Sequence, residues 1–194
     1  MRNLFGFIII TVIAFTSCEG RITKNQALLK DIEEYKKTVS VQVDVYNPEN
    51  YTERQVDTLL NNGFRVKIKA YTDMDNSVLF TKIKDTINYQ TYYRNFKFDI
   101  LIEKDNKVIY NKSFDKEKAN KVFRFNANLA KGSQLHNFNK LAILNAIQLD
   151  DDPSYTNIVA IDVMYAIPDT DKVSYHKILI NDKGKANFIQ TEKY

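Results

Sequence analysis

The chain has 194 residues, 28 basic and 24 acidic side chains, a formal charge of +4, 44% hydrophobic and 27% charged residues, which suits one domain with a buried core and excludes wholesale disorder. Twenty-two of the basic residues are Lys, so the small excess of charge lacks the Arg-rich character of phosphate and base readers, and no nucleic-acid partner is expected. One Cys excludes an internal disulfide and a Cys-based zinc centre, and two His exclude a three-His metal centre, so no metal or other cofactor is implied.

In chain order, Arg2 gives a short positive start, Leu4–Phe15 is almost wholly apolar, and Thr16-Ser17 leads into Cys18. The apolar run is about a dozen residues and a spanning helix needs ~20, so residues 1–17 read as an export signal peptide. Phe15-Thr16-Ser17-Cys18 resembles the lipobox of bacterial lipoproteins, with Phe15 where Leu is commonest and Ser17 where Ala or Gly is. That resemblance implies diacylglycerol on the Cys18 thiol, cleavage before Cys18, and a mature protein held at a membrane by acyl chains. Glu19, in place of Asp, implies by the same resemblance the outer membrane of a Gram-negative cell envelope, facing the periplasm or the surface. An ordinary secretory signal with an incidental Cys, or an uncleaved anchor helix, stays open as the alternative.

Residues 18–25 form a short polar tether, and residues 26–194 read as a single β-rich domain. Gln26–Lys37 places Leu28, Leu29, Ile32 and Tyr35 at helical spacing, which predicts one short N-terminal helix whose stripe is a partner-binding face or, more plainly, packs on the domain it precedes. The period then changes from 3.6 to 2. Val39, Val41, Val43 and Val45 predict a half-buried strand ended by Asn47-Pro48. Phe64, Val66, Ile68 and Ala70 predict a strand whose other face carries Arg65, Lys67 and Lys69. Asn61-Asn62-Gly63 before it is a turn signal, so Val56–Leu60 pairs with that strand, or else Thr52–Leu60 is a short helix. Val78–Ile83 and Phe96–Glu103 are further strands, and Asp105-Asn106 turns the second into Lys107–Phe114. Asp115–Lys121 is at best locally helical, and Asn139–Leu149 fits either a helix or a bent strand. Asn157–Ile167 reads as a central strand covered on both sides. Val173–Ile180 and Ala186–Thr191 close the chain as a hairpin. The fold class predicted is mainly β, an antiparallel sandwich or barrel-like sheet preceded by one helix.

The candidate sites are few. Asp73-Met74-Asp75-Asn76 and Asp169-Thr170-Asp171 lack the Gly and Glu of a calcium loop and read as solvated turns. Asp150, Asp151 and Asp152 form the densest acidic cluster, which bears on calcium or simply solvates a loop. Neither His136 nor His176 has a Ser or Asp partner assignable from spacing, so no catalytic residue is named. Tyr89, Tyr92 and Tyr93, with Phe96 nearby, form a possible binding patch, because Tyr offers a rigid face and a hydroxyl to protein or glycan; the plainer reading is that they cover one end of the core. The basic face Arg65, Lys67, Lys69 suits anionic lipid or, more plainly, protects a strand from aggregation. Asp57-Thr58-Leu59 and Asp85-Thr86-Ile87 resemble an O-glycosylation sequon of some Gram-negative envelope systems. The mature part is similar in layout to small uncharacterised lipoproteins of Gram-negative gut and oral bacteria. The expected function is therefore a membrane-anchored, non-catalytic domain that binds an envelope protein or glycan. An envelope hydrolase with its site hidden in the fold, and a β-barrel carrier of an apolar ligand, are the alternatives.

Overall fold

The structure is a computed structural model that describes residues 23–38, 41–125, 133 and 136–191. Residues 1–22, on which the expected signal peptide, Cys18 and most of the expected tether fall, lie outside the described residues. The described chain is mostly strand, in two largely antiparallel sheets. Contacts gather it into two compact units. The smaller contains residues 23–38, 41–42 and 83–88, and the larger contains the rest.

In the smaller unit, α1 (Lys24–Thr38) begins where the Thr23 hydroxyl accepts from the Gln26 N–H and the Gln26 side chain accepts from the Thr23 N–H. These reciprocal bonds satisfy two of the donors that a helix start leaves open. The Tyr35 hydroxyl donates to the Asp85 carbonyl at 2.5 Å. Asp85 sits at φ +55° in the turn of a long hairpin.

The first sheet comprises β1 (Val41–Asn47), β2 (Glu53–Leu59), β3 (Phe64–Lys84), β4 (Ile87–Lys104) and β5 (Lys107–Phe114), in the order β1-β4-β3-β2 with β5 also on β4. Glu53–Leu59 is thus a strand, paired from Glu53 with Tyr71 to Leu59 with Arg65, and not the alternative helix. Gly63, at φ +84°, turns the chain between the two strands. The two strands expected at Phe64–Tyr71 and Val78–Ile83 are one continuous β3. Asp105 and Asn106 both have positive φ, as the tight hairpin between β4 and β5 requires. The half-buried strand expected at Val39–Val45 differs in its setting: Val41 and Val45 of β1 are exposed, because β1 ends the β1-β4-β3-β2 order of its sheet.

After β5 come α2 (Lys116–Val122) and the single turn α3 (Phe138–Leu141). The second sheet runs β6 (Ile143–Asp150), β7 (Ile158–Ala166), β8 (Val173–Asn181), β9 (Ala186–Thr191), each antiparallel to the next. The ambiguous segment Asn139–Leu149 resolves at Ala142, whose extended backbone (ψ 145°) ends α3 and starts β6. Within β7 the face of Val159, Ile161, Val163 and Tyr165 is buried, whereas only Ala160 is fully buried on the other. β7 is central, but a two-layer sandwich covers one face more completely than the other.

The core joins the inner faces of both sheets: Phe64, Val66, Phe98, Ile100, Ile102 and Phe114 from the first, Val159, Ile161, Ile178 and Ile180 from the second. Phe98 and Phe114, paired across β4 and β5, stack at 4.7 Å. Each such side chain contributes about 1.5–3 kcal/mol by leaving water. Gly184 (φ +74°) lets the β8–β9 turn approach β5, since a Cβ there would lie 1.9 Å from the Ile109 carbonyl oxygen.

Candidate functional site

Four clefts among the described residues of the larger unit border candidate residues; the one of about 700 Å³ at Asp57 and Arg65 is already bridged by their ion pair, and three remain. The first, about 450 Å³, is bordered by Asp150, Asp151 and Asp152 together with Asn61, Asn62 and Tyr155. The acids there already have work. Asp150 accepts from Lys177 at 2.5 Å and from the Asp152 N–H, and Asp152 accepts from the Ser154 N–H. Burial tends to raise the Asp150 pKa, but the Lys177 ammonium and the backbone donor outweigh it and hold the carboxyl below its usual range. Lys177 also lies 3.4 Å from Asp162, and these contacts hold its ammonium above the usual range. Among the described residues, no group of three or more His, Cys, Asp or Glu is placed to hold a metal ion.

The tyrosines expected to form a patch lie along β4, half-buried. Side chains alternate along a strand, so Tyr89 and Tyr93 fall on one face and Tyr92 on the other. Tyr92 stacks on Tyr46 at 4.8 Å, and the Arg94 guanidinium lies 4.7 Å from the same Tyr46 ring. Tyr93 meets Phe80 edge-on at 5.5 Å and lines a second cleft, about 380 Å³, with Phe96 and Asp169. Its hydroxyl donates to Asp169 at 2.5 Å, and that bond pushes the phenol up to about 12. Arg65, Lys67 and Lys69 do not form a free cationic surface: they pair with Asp57 (2.8 Å), Glu103 (3.9 Å) and Glu53 (2.8 Å).

His176 is on β8, as its strand pattern implies, and is 2% exposed. Its Nε2 is 2.8 Å from the Ser174 hydroxyl, a partner two residues away on the same face of the strand. Alternation alone could have found this pair. Phe123 and Phe125 close over the imidazole at ring distances of 4.4 and 5.0 Å. Burial lowers its pKa to about 4. The pair is a polar island within the aromatic core, sealed from substrate. His136 lies in a surface turn with Asn137 Nδ2 3.1 Å from its Nε2.

The third cleft, about 410 Å³, is the one that sequence reasoning missed. Asp73 and Asn76 of β3, Asn95 and Lys97 of β4, and Asp115, Lys116, Glu117 and Asn120 around the start of α2 line it, all of them hydrogen-bonding side chains. Asp73 is buried in the middle of β3, where a solvated turn was expected. The strand continues because the carboxylate is satisfied in place: Lys97 lies 3.2 Å away, Asn76 Nδ2 donates at 3.0 Å and the Asp75 N–H at 3.2 Å. Burial pushes the Asp73 pKa up, but these donors together hold it below the usual carboxylate range. Asp115 caps α2 by accepting from the Lys118 N–H at 2.8 Å. Lys116 donates to the Lys140 carbonyl at 2.5 Å, Asn120 to the Asn139 carbonyl at 3.0 Å, and Glu117 pairs with Lys121 at 2.7 Å. Burial lowers Lys116 to about 8. Asn95 is the exception. It is 7% exposed, and its Oδ1 has no hydrogen-bond partner.

No protein-family model matches the chain, and no characterised protein matches it.

Proposed function

We propose that this chain is a lipid-anchored protein of the bacterial cell envelope whose β-sandwich binds a neutral, hydroxyl-rich ligand, a glycan, in the cleft walled by Asp73, Asn95 and Lys116. Cys18 carries the acyl chains in this reading, and the domain works as a binding module and not as a catalyst. The observation that carries the binding assignment is Asn95: among the described residues the buried oxygens of Asn88, Asp99, Asn139 and Tyr165 lack a partner as well, but of these five side chains Asn95 is the one that lines one of the three clefts above. A buried amide oxygen without a donor costs about 1–3 kcal/mol, and a fold keeps such a cost where something else repays it. The charged groups of the cleft act on one another or on the backbone: Asp73 with Lys97, Glu117 with Lys121, Asp115 with the α2 N–H groups, Lys116 with Lys140. The Asn95 amide is what remains for a ligand. A hydroxyl both donates and accepts, so it matches either end of an amide. The cleft volume lies within the range typical of small-molecule sites.

Two experiments test the two halves of the reading. Mature protein purified from membranes is titrated against a panel of neutral di- and trisaccharides, alongside Asn95→Leu. Binding by the wild type that falls at least tenfold in the variant supports the site; equal binding by both, or binding of no member of the panel, rejects it. Separately, Cys18→Ala should remove the acyl label and release the protein from the membrane fraction. Unchanged labelling and fractionation reject the anchor.

A further inference from the structure

We infer that the exposed apolar face of α1 docks on the lipid bilayer itself, so that the protein is held at the membrane surface by a helix face as well as by its acyl chains. The inference rests on the reading of Cys18 as acylated and adds a second, non-covalent contact to it.

An amphipathic helix in a globular fold normally turns its apolar stripe to the core. In α1 the stripe is in water: Leu28 is 59% exposed, Leu29 61%, Ile32 41% and Tyr35 46%. Leu28, Ile32 and Tyr35 follow one another at i, i+4 and i+7, with Leu29 beside them, so the exposed side chains form one face and are not scattered. In the same compact unit Ile83, beside the hairpin turn, is 38% exposed. The Tyr35 hydroxyl, bonded to the Asp85 carbonyl, ties the helix to that turn.

Reach identifies the occupant. Only five residues, Glu19–Thr23, separate Cys18 from Lys24. Even fully extended, at ~3.3–3.6 Å per residue, that segment keeps the start of α1 within about 20 Å of the acylated sulfur. The bilayer is thus the one apolar phase that α1 always has within reach, at the high effective concentration that a short tether imposes. A face too small to bind vesicles from solution is sufficient under those conditions. Charge has little part in it: Lys24, Lys30, Lys36 and Lys37 are nearly balanced by Asp31, Glu33 and Glu34. The contact therefore forms on zwitterionic lipid and persists at high salt.

The chain has no Trp, so one introduced Trp reports its own surroundings. Leu28→Trp and Ile32→Trp are placed on the stripe and Lys30→Trp on the opposite side of the same helix, each in the acylated full-length mature protein on phosphatidylcholine vesicles. The expected result is blue-shifted emission at positions 28 and 32 and at least threefold stronger quenching by bromine-labelled lipid than at 30, with the reverse order for acrylamide in water. Equal quenching at all three positions overturns the inference. So does shielding of 28 and 32 from acrylamide without quenching by the brominated lipid, which marks a second copy or another protein as the occupant. The mass of the N-terminal peptide separates the two readings. An acylated Leu28→Trp protein whose indole is not quenched refutes the helix contact alone, and an unacylated one removes the anchor and the contact together.

Discussion

His176→Gln should remove most of the acid sensitivity of this fold between pH 6.5 and 4, and the size of the effect follows from where the ring sits. The imidazole is 2% exposed, bonded to Ser174 and enclosed by Phe123 and Phe125. Burial disfavours its cation and lowers the pKa from 6.5 to about 4. Above pH 6.5 the ring is neutral in the folded and the unfolded chain alike, and the group is indifferent to pH. As pH falls below 6.5 the unfolded chain takes up a proton that the folded chain refuses, so stability drops; below about 4 both forms are protonated and the loss levels off. At 1.36 kcal/mol per pH unit, the loss amounts to about 3 kcal/mol across the interval. That is a large part of the ~5–15 kcal/mol that stabilises an ordinary domain. Of the carboxylates held below their usual values, Asp57, Asp73, Asp150 and Asp152 start from 3.8 and act mainly at lower pH, whereas Glu53 starts from 4.5 but is exposed on the surface and adds little at the acid end of the window. Gln keeps a hydrogen-bonding group for Ser174 but does not titrate. The assay is urea unfolding at several pH values from 7 to 4 for both proteins. The variant should be about 1–2 kcal/mol less stable at pH 7, through lost ring contacts, yet nearly flat down to pH 4. A variant that keeps the wild-type slope would show that His176 is not the acid-sensitive group, and the burial argument would be wrong.

Gly184→Ala should destabilise by about 2–4 kcal/mol in the same urea assay, because the new Cβ meets the Ile109 carbonyl at 1.9 Å and the backbone is held at φ +74°; a loss under about 0.5 kcal/mol would mean that the β8–β9 turn moves away from β5 freely. Lys177→Met leaves Asp150 and Asp162 without the ammonium they share, at a cost of about 2–3 kcal/mol, discounted for the partial exposure of both acids. Adding Asp150→Asn should recover part of that loss, and strict additivity of the two changes would count against the pairing. Asn95→Leu should leave stability unchanged or raise it by about 1 kcal/mol, since it replaces a side chain with a buried unpartnered oxygen by an apolar one of the same branching; clear destabilisation would assign Asn95 a structural role in place of a binding one.

The strands that could be read from sequence are those whose local pattern and environment agree. Phe64, Val66 and Ile68 face the core and Arg65, Lys67 and Lys69 face acids on neighbouring strands, so period 2 gives both the strand and its inner face. In β1 the same alternation gives the strand but not its burial, because periodicity does not report whether another strand or layer covers it. The 21-residue β3 was not visible as one element, since Asp73-Met74-Asp75-Asn76 has the composition of a turn. What lets Asp73 stay in a buried strand is Lys97 on β4 and a side chain from Asn76, a tertiary fact that no local rule contains.

The same limit applies to the proposed site. Phe96, Phe98, Ile100 and Ile102 mark the apolar face of β4 by alternation, which assigns Asn95 and Lys97 to the other face and so, by default, to water. Lys97 is taken up by Asp73, and Asn95 is buried with its Oδ1 unpartnered. A polar residue on the nominally wet side of a strand becomes a ligand-binding group only when a third element walls it in, and here that element is the β5–α2 corner that brings Asp115 and Lys116 to the cleft. Its own signal was local and correct: Asp115 begins a short helix. That this helix start meets β3 and β4 residues 18 to 42 positions earlier in the chain depends on β5 folding back antiparallel along Phe98–Lys104, with the register set by the Asp105-Asn106 turn and shifted once between Ile102 and Glu103. The cleft is therefore a consequence of one tight turn and one register shift, and lengthening that turn would separate its walls while leaving every residue that lines it unchanged.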